Sequence, residues 1–235
     1  DYKGATNWSG YVDKIEAISI TASGNCGANG NNCTYNLYGN GMLVISGTGA
    51  MADYSSGGAP WNNYKASITS VEIGSDVTSI GDYAFMDCVN LSWISFSGSS
   101  NLTSIGRNAF YNCRSLTSVS IPNGVTSIGS AAFQGCTVLT TISIPNGLES
   151  IGYAAFDNTA WKSNLPNGMV YLGNVAYTYK GAMPEDTDLV LKEGTKSIAG
   201  GAFESQSNLK SITIPSSVTN IAYGAFSYCS SLTTI

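Results

Sequence analysis

Six cysteines are the most chemically versatile side chains in this 235-residue sequence, and four of them keep one spacing. Cys88, Cys113, Cys136 and Cys229 each follow a phenylalanine by three residues. One reading is a ladder of metal ligands or disulfides. The other is a column of small buried thiols, weakly hydrogen-bonded to neighbouring turns. The second is preferred, because Thr159 and Gln206 take the same position. Side chains repeating in register would also point in parallel rather than at one another. Cys26 and Cys33 lie outside this series and close together. A disulfide between them stays open, and it would suit an oxidising compartment.

Other candidate chemistry is thin. The chain has no histidine, which removes the commonest general base and the commonest zinc ligand and excludes serine–histidine and cysteine–histidine catalysis. Asp186 and Asp188 have an Asp-x-Asp spacing, but Glu185 and Glu193 do not complete a calcium loop. Gly27, Gly30, Gly39 and Gly41 sit in hairpin context with no helix following, so no phosphate cradle is expected. Paired carboxylates for glycoside cleavage are not excluded by spacing, but acids are few at the strand positions. Asn7-Trp8-Ser9, Asn32-Cys33-Thr34, Asn90-Leu91-Ser92 and Asn101-Leu102-Thr103 match glycosylation acceptors, and the last two follow from repeat spacing alone. No cofactor and no metal are expected.

Composition narrows the class further. Apolar residues make up 43% of the chain, enough for a sizeable core, and only 11% are charged. Fifteen acidic against ten basic residues give a net charge of −5, which argues against a basic nucleic-acid groove. No stretch approaches the ~18 uninterrupted apolar residues of a membrane span. No signal peptide opens the sequence, so Asp1 is expected to be a processed or truncated start.

The elements that position these groups come from an internal repeat. Six Ala-Phe pairs end at Phe85, Phe110, Phe133, Phe156, Phe203 and Phe226, at intervals of 25, 23, 23, 47 and 23. The interval of 47 is 23 plus 24 and hides one altered unit; the interval of 25 carries a two-residue insertion near Ser97-Gly98-Ser99-Ser100. Ile80, Ile105, Ile128, Ile151, Ile198 and Ile221 precede their phenylalanines by five. Leu91, Leu116, Leu139, Leu209 and Leu232 follow theirs by six, and Ile94, Val119, Ile142, Ile212 and Ile235 follow by nine. Leu116-Thr117-Ser118-Val119-Ser120-Ile121 alternates apolar and polar, as a half-buried strand does, and Pro122 and Gly124 then turn the chain. The Ala-Phe-x-x-Cys spacing suggests one helical or 3₁₀ turn. Each unit therefore reads as a coil of strand, bend, short strand and helical turn. Such a coil buries its apolar face only when stacked, with the phenylalanines forming a column.

The Leu-x-x-Ile/Val-x-Ile spacing is that of a leucine-rich repeat. The run Cys-x-x-Leu-x-x-Ile-x-Ile-Pro, with Ile-Gly and Ala-Phe before it, resembles the BspA-like leucine-rich repeats of bacterial surface proteins, from about Ser67 to Ile235. The leader with Cys26-Gly27, Leu43 to Gly49 and Pro60-Trp61, and the interruption from Asn158 to Gly181, also resemble that family. The resemblance implies an α/β repeat solenoid, mostly β and right-handed, with short strands, short helical turns and an N-terminal β-hairpin cap. It also implies a secreted or surface-anchored protein used for adhesion or recognition, without enzymatic activity.

Residues 1–66 are expected to form an N-terminal segment and β cap, with Ile15, Ile18 and Ile20 in an incoming strand ended by Ser23-Gly24. Thr34–Tyr38 and Met42–Ser46 flank Gly39-Asn40-Gly41 as a hairpin. Residues 67–235 are expected to form the solenoid. A hairpin inserted at about 161–184 would be built from Met169–Leu172 and Val175–Tyr179 around Gly173-Asn174. Its Trp161, Tyr171, Tyr177 and Tyr179 read either as an aromatic binding edge or, preferably, as a small core sealing the break. The sequence stops at Ile235 in mid-strand, so the natural chain is expected to continue.

The outward strand positions should line the concave face: Ser70, Glu72, Trp93, Ser95, Ser118, Ser120, Thr141, Ser143, Ser211 and Thr213. They form either a hydroxyl-rich recognition strip with one aromatic anchor, Trp93, or a solvated face of good strand formers. The expected function is adhesion or protein–protein recognition of host or neighbouring-cell macromolecules, outside the cell or at its surface. A carbohydrate-binding module and a spacer domain are the alternatives.

Overall fold

The structure, a computed structural model, describes residues 19–98 and 100–235. The strand expected at Ile15 and Ile18 and the Asn7-Trp8-Ser9 acceptor match lie outside the described residues. The chain enters through antiparallel strands: β1 (Ile20–Gly27) pairs with β2 (Gly30–Tyr38), and β2 pairs with β3 (Met42–Gly47). Ser23 and Gly24 do not end β1. They stay paired with Asn36 and Tyr35, and the Tyr35 ring occupies the space a side chain at Gly24 would need.

From β3 to β12 the pairing is parallel and the chain winds. Long-strand positions are taken by β5 (Ser70–Ile73), β7 (Trp93–Phe96), β9 (Ser118–Ser120) and β11 (Thr141–Ser143). Short-strand positions are taken by β4 (Gly49–Ala50), β6 (Val77–Ile80), β8 (Ser104–Ile105), β10 (Ser127–Ile128) and β12 (Ser150–Ile151), which line up in that order as one sheet. Val71 pairs with Ile94, and Val119 with Ile142. Each apolar position thus lies on its equivalent one coil away, with the alternate residues turned outward. The result is a mostly β solenoid.

The hidden repeat is occupied by the insertion. A four-residue helix, α1 (Ala160–Ser163), is capped by the Thr159 hydroxyl, which accepts from the Lys162 backbone N–H. β13 (Gly168–Leu172) and β14 (Val175–Lys180) then form an antiparallel hairpin around Gly173-Asn174, and β14 pairs in parallel with β16 (Ser197–Ile198). Tyr179 stands where the hidden repeat would carry its phenylalanine, between Phe156 and Phe203. It donates its backbone N–H to the Ala202 carbonyl at 2.9 Å, as the phenylalanines do in regular coils. The solenoid closes with β15 (Thr187–Val190), β17 (Leu209–Thr213) and β18 (Asn220–Ile221).

Inside, the aromatic rings stack. Phe85, Phe110, Phe133 and Phe156 are fully buried, with centroids 5.1 to 5.5 Å apart and ring planes within 14° of parallel. Trp61 heads this column 5.4 Å from Phe85, and its indole N–H donates to the Ala84 carbonyl at 2.8 Å. The column is interrupted after Phe156, where Trp161 and Tyr177 pack at an angle, and resumes with Phe203 and Phe226 at 5.3 Å.

The segment around each Ala-Phe pair is a series of overlapping turns rather than a helix. Two residues in it are left-handed, one two positions before the phenylalanine and one two after: Tyr83 (φ 57°) and Asp87 (58°), Asn108 (54°) and Asn112 (58°), Ala131 (55°) and Gly135 (77°). This alternation aims every second backbone N–H along the stack. Phe85 donates to Ala109, Phe110 to Ala132 and Phe133 to Ala155, each at 2.7 Å, and residues two before and two after do the same. A true helix would spend those donors within its own turn.

Candidate functional site

The ten strip residues lie on the outward face of the long-strand sheets, and every one is exposed or half-buried. Trp93 stands out: it is 53% exposed, while the column aromatics from Trp61 to Phe156 are sealed. Glu72 is held by the Ser97 hydroxyl, which donates to its carboxylate at 2.7 Å. Ser211 likewise donates to Asp188, a strand acid that sequence reading weighed only as part of a calcium loop. Both pairs turn hydroxyl and carboxylate toward each other, leaving Trp93 and the hydroxyls of Ser70, Ser95, Ser118, Ser120, Thr141, Ser143 and Thr213 as the groups a partner would meet.

Beside Trp93 lies a groove of about 690 Å³, bounded by Trp93 to Phe96, Gly98 and Ser100 on one side and by Ser118 and Ser120 to Gly124 on the other, with Ser143 beyond. No charged residue lines it. Nothing in the strand alternation announces it. It opens where β7 and β9, adjacent in the winding, belong to different sheets.

A second depression, about 440 Å³, lies where the insertion meets the regular coils. Its charges are internally matched. Lys162 pairs with Asp157 at 2.5 Å, Tyr153 donates to Glu204 at 3.0 Å, and Lys180 donates to the Ser163 and Leu165 carbonyls at the end of α1. Trp161 and Tyr177 pack against Phe156 beneath it, so these insertion aromatics fill space rather than present an edge.

The cysteine series faces inward. Cys113, Cys136 and Cys229 donate to the Phe85, Phe110 and Phe203 carbonyls of the preceding coils, at 3.2, 3.2 and 3.0 Å. Burial pushes the Cys88 thiol up to about 12 and the Cys113 thiol well above its ordinary range, the opposite of what a thiolate ligand or nucleophile needs. Cys26 and Cys33, on the paired strands β1 and β2, are buried free thiols. Cys26 is raised to about 12 by burial and then by the neighbouring Cys33. Among the described residues no three His, Cys, Asp or Glu side chains gather as a metal cluster. No helix among them is long and apolar enough to cross a membrane.

A parallel winding with an aliphatic ladder and an outward polar strand face defines a leucine-rich-repeat solenoid. Residues 62–184 and 176–235 match the BspA type leucine rich repeat region, in six copies. The chain belongs to that family. Among solved structures it is similar to a leucine-rich repeat protein from Eubacterium ventriosum, at 26% identity and a TM-score of 0.44, over 88% of this chain and 63% of that one. It therefore spans less than two thirds of that protein's length. It is also similar to the leucine rich repeat protein of T. pallidum (24% identity, TM-score 0.46, 85% of this chain and 87% of that one). A third is a leucine rich cell surface protein from Faecalibacterium prausnitzii (23%, 0.41, 92% and 76%). No curated protein matches this sequence.

Proposed function

We propose that this chain is a non-catalytic recognition module, secreted or carried on a cell surface, that adheres to a protein of a host or neighbouring cell through the outward strip. The observation that carries this reading is Trp93, a large aromatic left 53% exposed beside an uncharged groove in a face otherwise made of hydroxyls. Exposed aromatics of this kind anchor interfaces, and the surrounding polar rim contributes complementarity more than energy. Membership of a leucine-rich-repeat family supports it, because solenoids present extended surfaces to macromolecular partners.

The same tryptophan beside hydroxyls also favours a second reading, stacking against a sugar ring with hydroxyls bonding its rim. One experiment separates the two. The chain and its Trp93→Ala variant are tested on immobilised matrix proteins and on a glycan array. Protein binding that falls at least tenfold in the variant supports the first reading, sugar binding that falls likewise supports the second, and binding indifferent to Trp93 defeats both site assignments.

A further inference from the structure

Two of the six cysteines meet across antiparallel strands. Asn25 of β1 lies opposite Thr34 of β2, so the next step of the ladder brings Cys26 beside Cys33. The ladder shifts there, to Gly27 opposite Gly30, but the strands stay in contact: a Cβ on Gly27 would lie 2.6 Å from the Cys33 backbone nitrogen. Both cysteine side chains turn inward and are sealed from water, while Asn25 and Thr34 face out. Facing residues of an antiparallel pair sit about 4.5–5.5 Å apart at Cα, within the ~4.4–6.8 Å that a disulfide spans. The Cys33 thiol is loosely held, with the Thr48, Gly49 and Ala50 carbonyls at 3.6 to 3.8 Å. Those of Thr48 and Ala50 also accept from the Asn32 side chain, at 2.8 and 3.0 Å, so both keep a partner once the thiol hydrogen has gone. The column cysteines differ. Cys113, Cys136 and Cys229 each give their S–H to a carbonyl of a preceding coil, at 3.0 to 3.2 Å.

We infer that Cys26 and Cys33 are an oxidisable pair that closes into a disulfide in an oxidising compartment, stapling the edge strand β1 to the cap. β1 is the outermost strand of its sheet. Cys26 is the point at which it is tied to the aromatic column. Its carbonyl accepts from the Tyr54 hydroxyl at 3.1 Å and from the Ala52 N–H at 2.9 Å. Tyr35 and Tyr54 in turn pack edge-on against Trp61, with centroids 5.2 and 6.0 Å away. A bond at Cys26 therefore fixes the lid over the first ring of the stack. The oxidant is a small-molecule disulfide. One cysteine thiolate attacks it and expels a thiolate, leaving a mixed disulfide, and the second cysteine displaces the remaining half. One S–S bond forms as one breaks, and the two thiol hydrogens leave with the reduced small molecule. Burial raises both folded thiols above their ordinary range, so exchange runs while β1 is undocked, and the docked bond is then shielded from reductant. The staple is independent of the recognition strip, and its failure leaves that reading standing.

To test it, the reduced chain is refolded with glutathione disulfide and glutathione, then unfolded in urea with iodoacetamide and cut with trypsin. Residues 15–65 leave as one fragment, bounded by Lys14 and Lys65, which holds Cys26 and Cys33 and no other cysteine. That fragment unlabelled and two hydrogens light, with the four column cysteines alkylated, supports the inference. Alkylation of both Cys26 and Cys33, a glutathione adduct that persists on either, or a link from either to a column cysteine overturns it. Hydrogen exchange on the same unmutated chain then compares the oxidised and reduced forms. The amides of β1 should exchange at least tenfold more slowly in the oxidised form, with those of β9 and β11 unchanged. Exchange in β1 that is equal or faster when oxidised means that the bond does not hold the strand, and overturns the staple.

Discussion

Phe133 shows what one side chain does in this fold. It is fully buried between Phe110 and Phe156, with ring centroids 5.1 and 5.5 Å away. Replacing it by alanine removes its own transfer energy and leaves a gap that rings on either side cannot fill without parting their coils. Phe133→Ala should cost about 3–5 kcal/mol in a urea melt. The left-handed positions predict the opposite sign. Ala131 is held at φ 55° by a hydrogen bond from its N–H to the Tyr153 carbonyl, a conformation that a Cβ disfavours by about 1 kcal/mol. Ala131→Gly should therefore raise stability by up to about that amount, whereas the same change at an ordinary exposed alanine would lower it. Cys88 predicts a pH dependence. Its folded value of about 12 lies above the ordinary 9.0, so the folded chain holds a proton that the unfolded chain releases. The stabilisation is complete below pH 9 and is lost as pH rises from 9 toward 12. Urea midpoints should fall over that window, and fall less steeply in Cys88→Ala.

At the scale of the coil, the Ile-Gly pair has a steric cause. A Cβ on Gly129 would lie 2.5 Å from the Arg107 nitrogen, and one on Gly152 would lie 2.3 Å from the Ser130 nitrogen. These are backbone atoms of the preceding coil and cannot swing aside. Gly129→Ala should push two coils apart at one corner and destabilise by about 1–3 kcal/mol, with raised hydrogen exchange confined to the Asn108, Phe110 and Asn112 amides, which bond across that seam to Ser130, Ala132 and Gln134. The turn between the two strand positions is the element sequence reading described least well. Its period suggested a helical turn, but its left-handed positions are held by tyrosine, aspartate, asparagine, alanine and serine more often than by glycine. Composition therefore held no sign of the alternation. In the regular coils Tyr83, Asp87, Asn108, Asn112, Ala131 and Gly135 each bond to the next coil, which is not a local signal.

Across the whole molecule, the winding and its core positions were legible because one spacing recurs six times and each recurrence fixes the same inward residue. Trp61 was not, since it stands before the first Ala-Phe pair in a different local motif. Only the structure shows its indole N–H replacing the backbone donor that a phenylalanine supplies in later coils. Tyr179 was hidden for the same reason, its neighbours being hairpin strands. On the strip, alternation told which residues turn outward. It did not tell that Glu72 and Ser211 are already engaged, because their partners Ser97 and Asp188 lie a full coil away. The opening between β7 and β9 was equally illegible: the two extra residues are visible in the sequence, but a bulge and a broken ladder look alike there.

The backbone donors of the regular turns run the same way, from Phe85, Phe110, Phe133 and Phe203 toward the coil that follows. The stack therefore has a sense, as a screw thread does. A whole period can be spliced in or out as a cassette, since its upper carbonyls and lower amides meet the same partners the missing cassette had. A fragment of any other length leaves the thread cross-cut, and a cassette turned end for end would set amide against amide. Lengthening or shortening such a protein by unequal exchange between its own repeats is thus restricted to one orientation and nearly one step size, and the windings of 24 and 25 residues mark how small a departure from that step the thread absorbs.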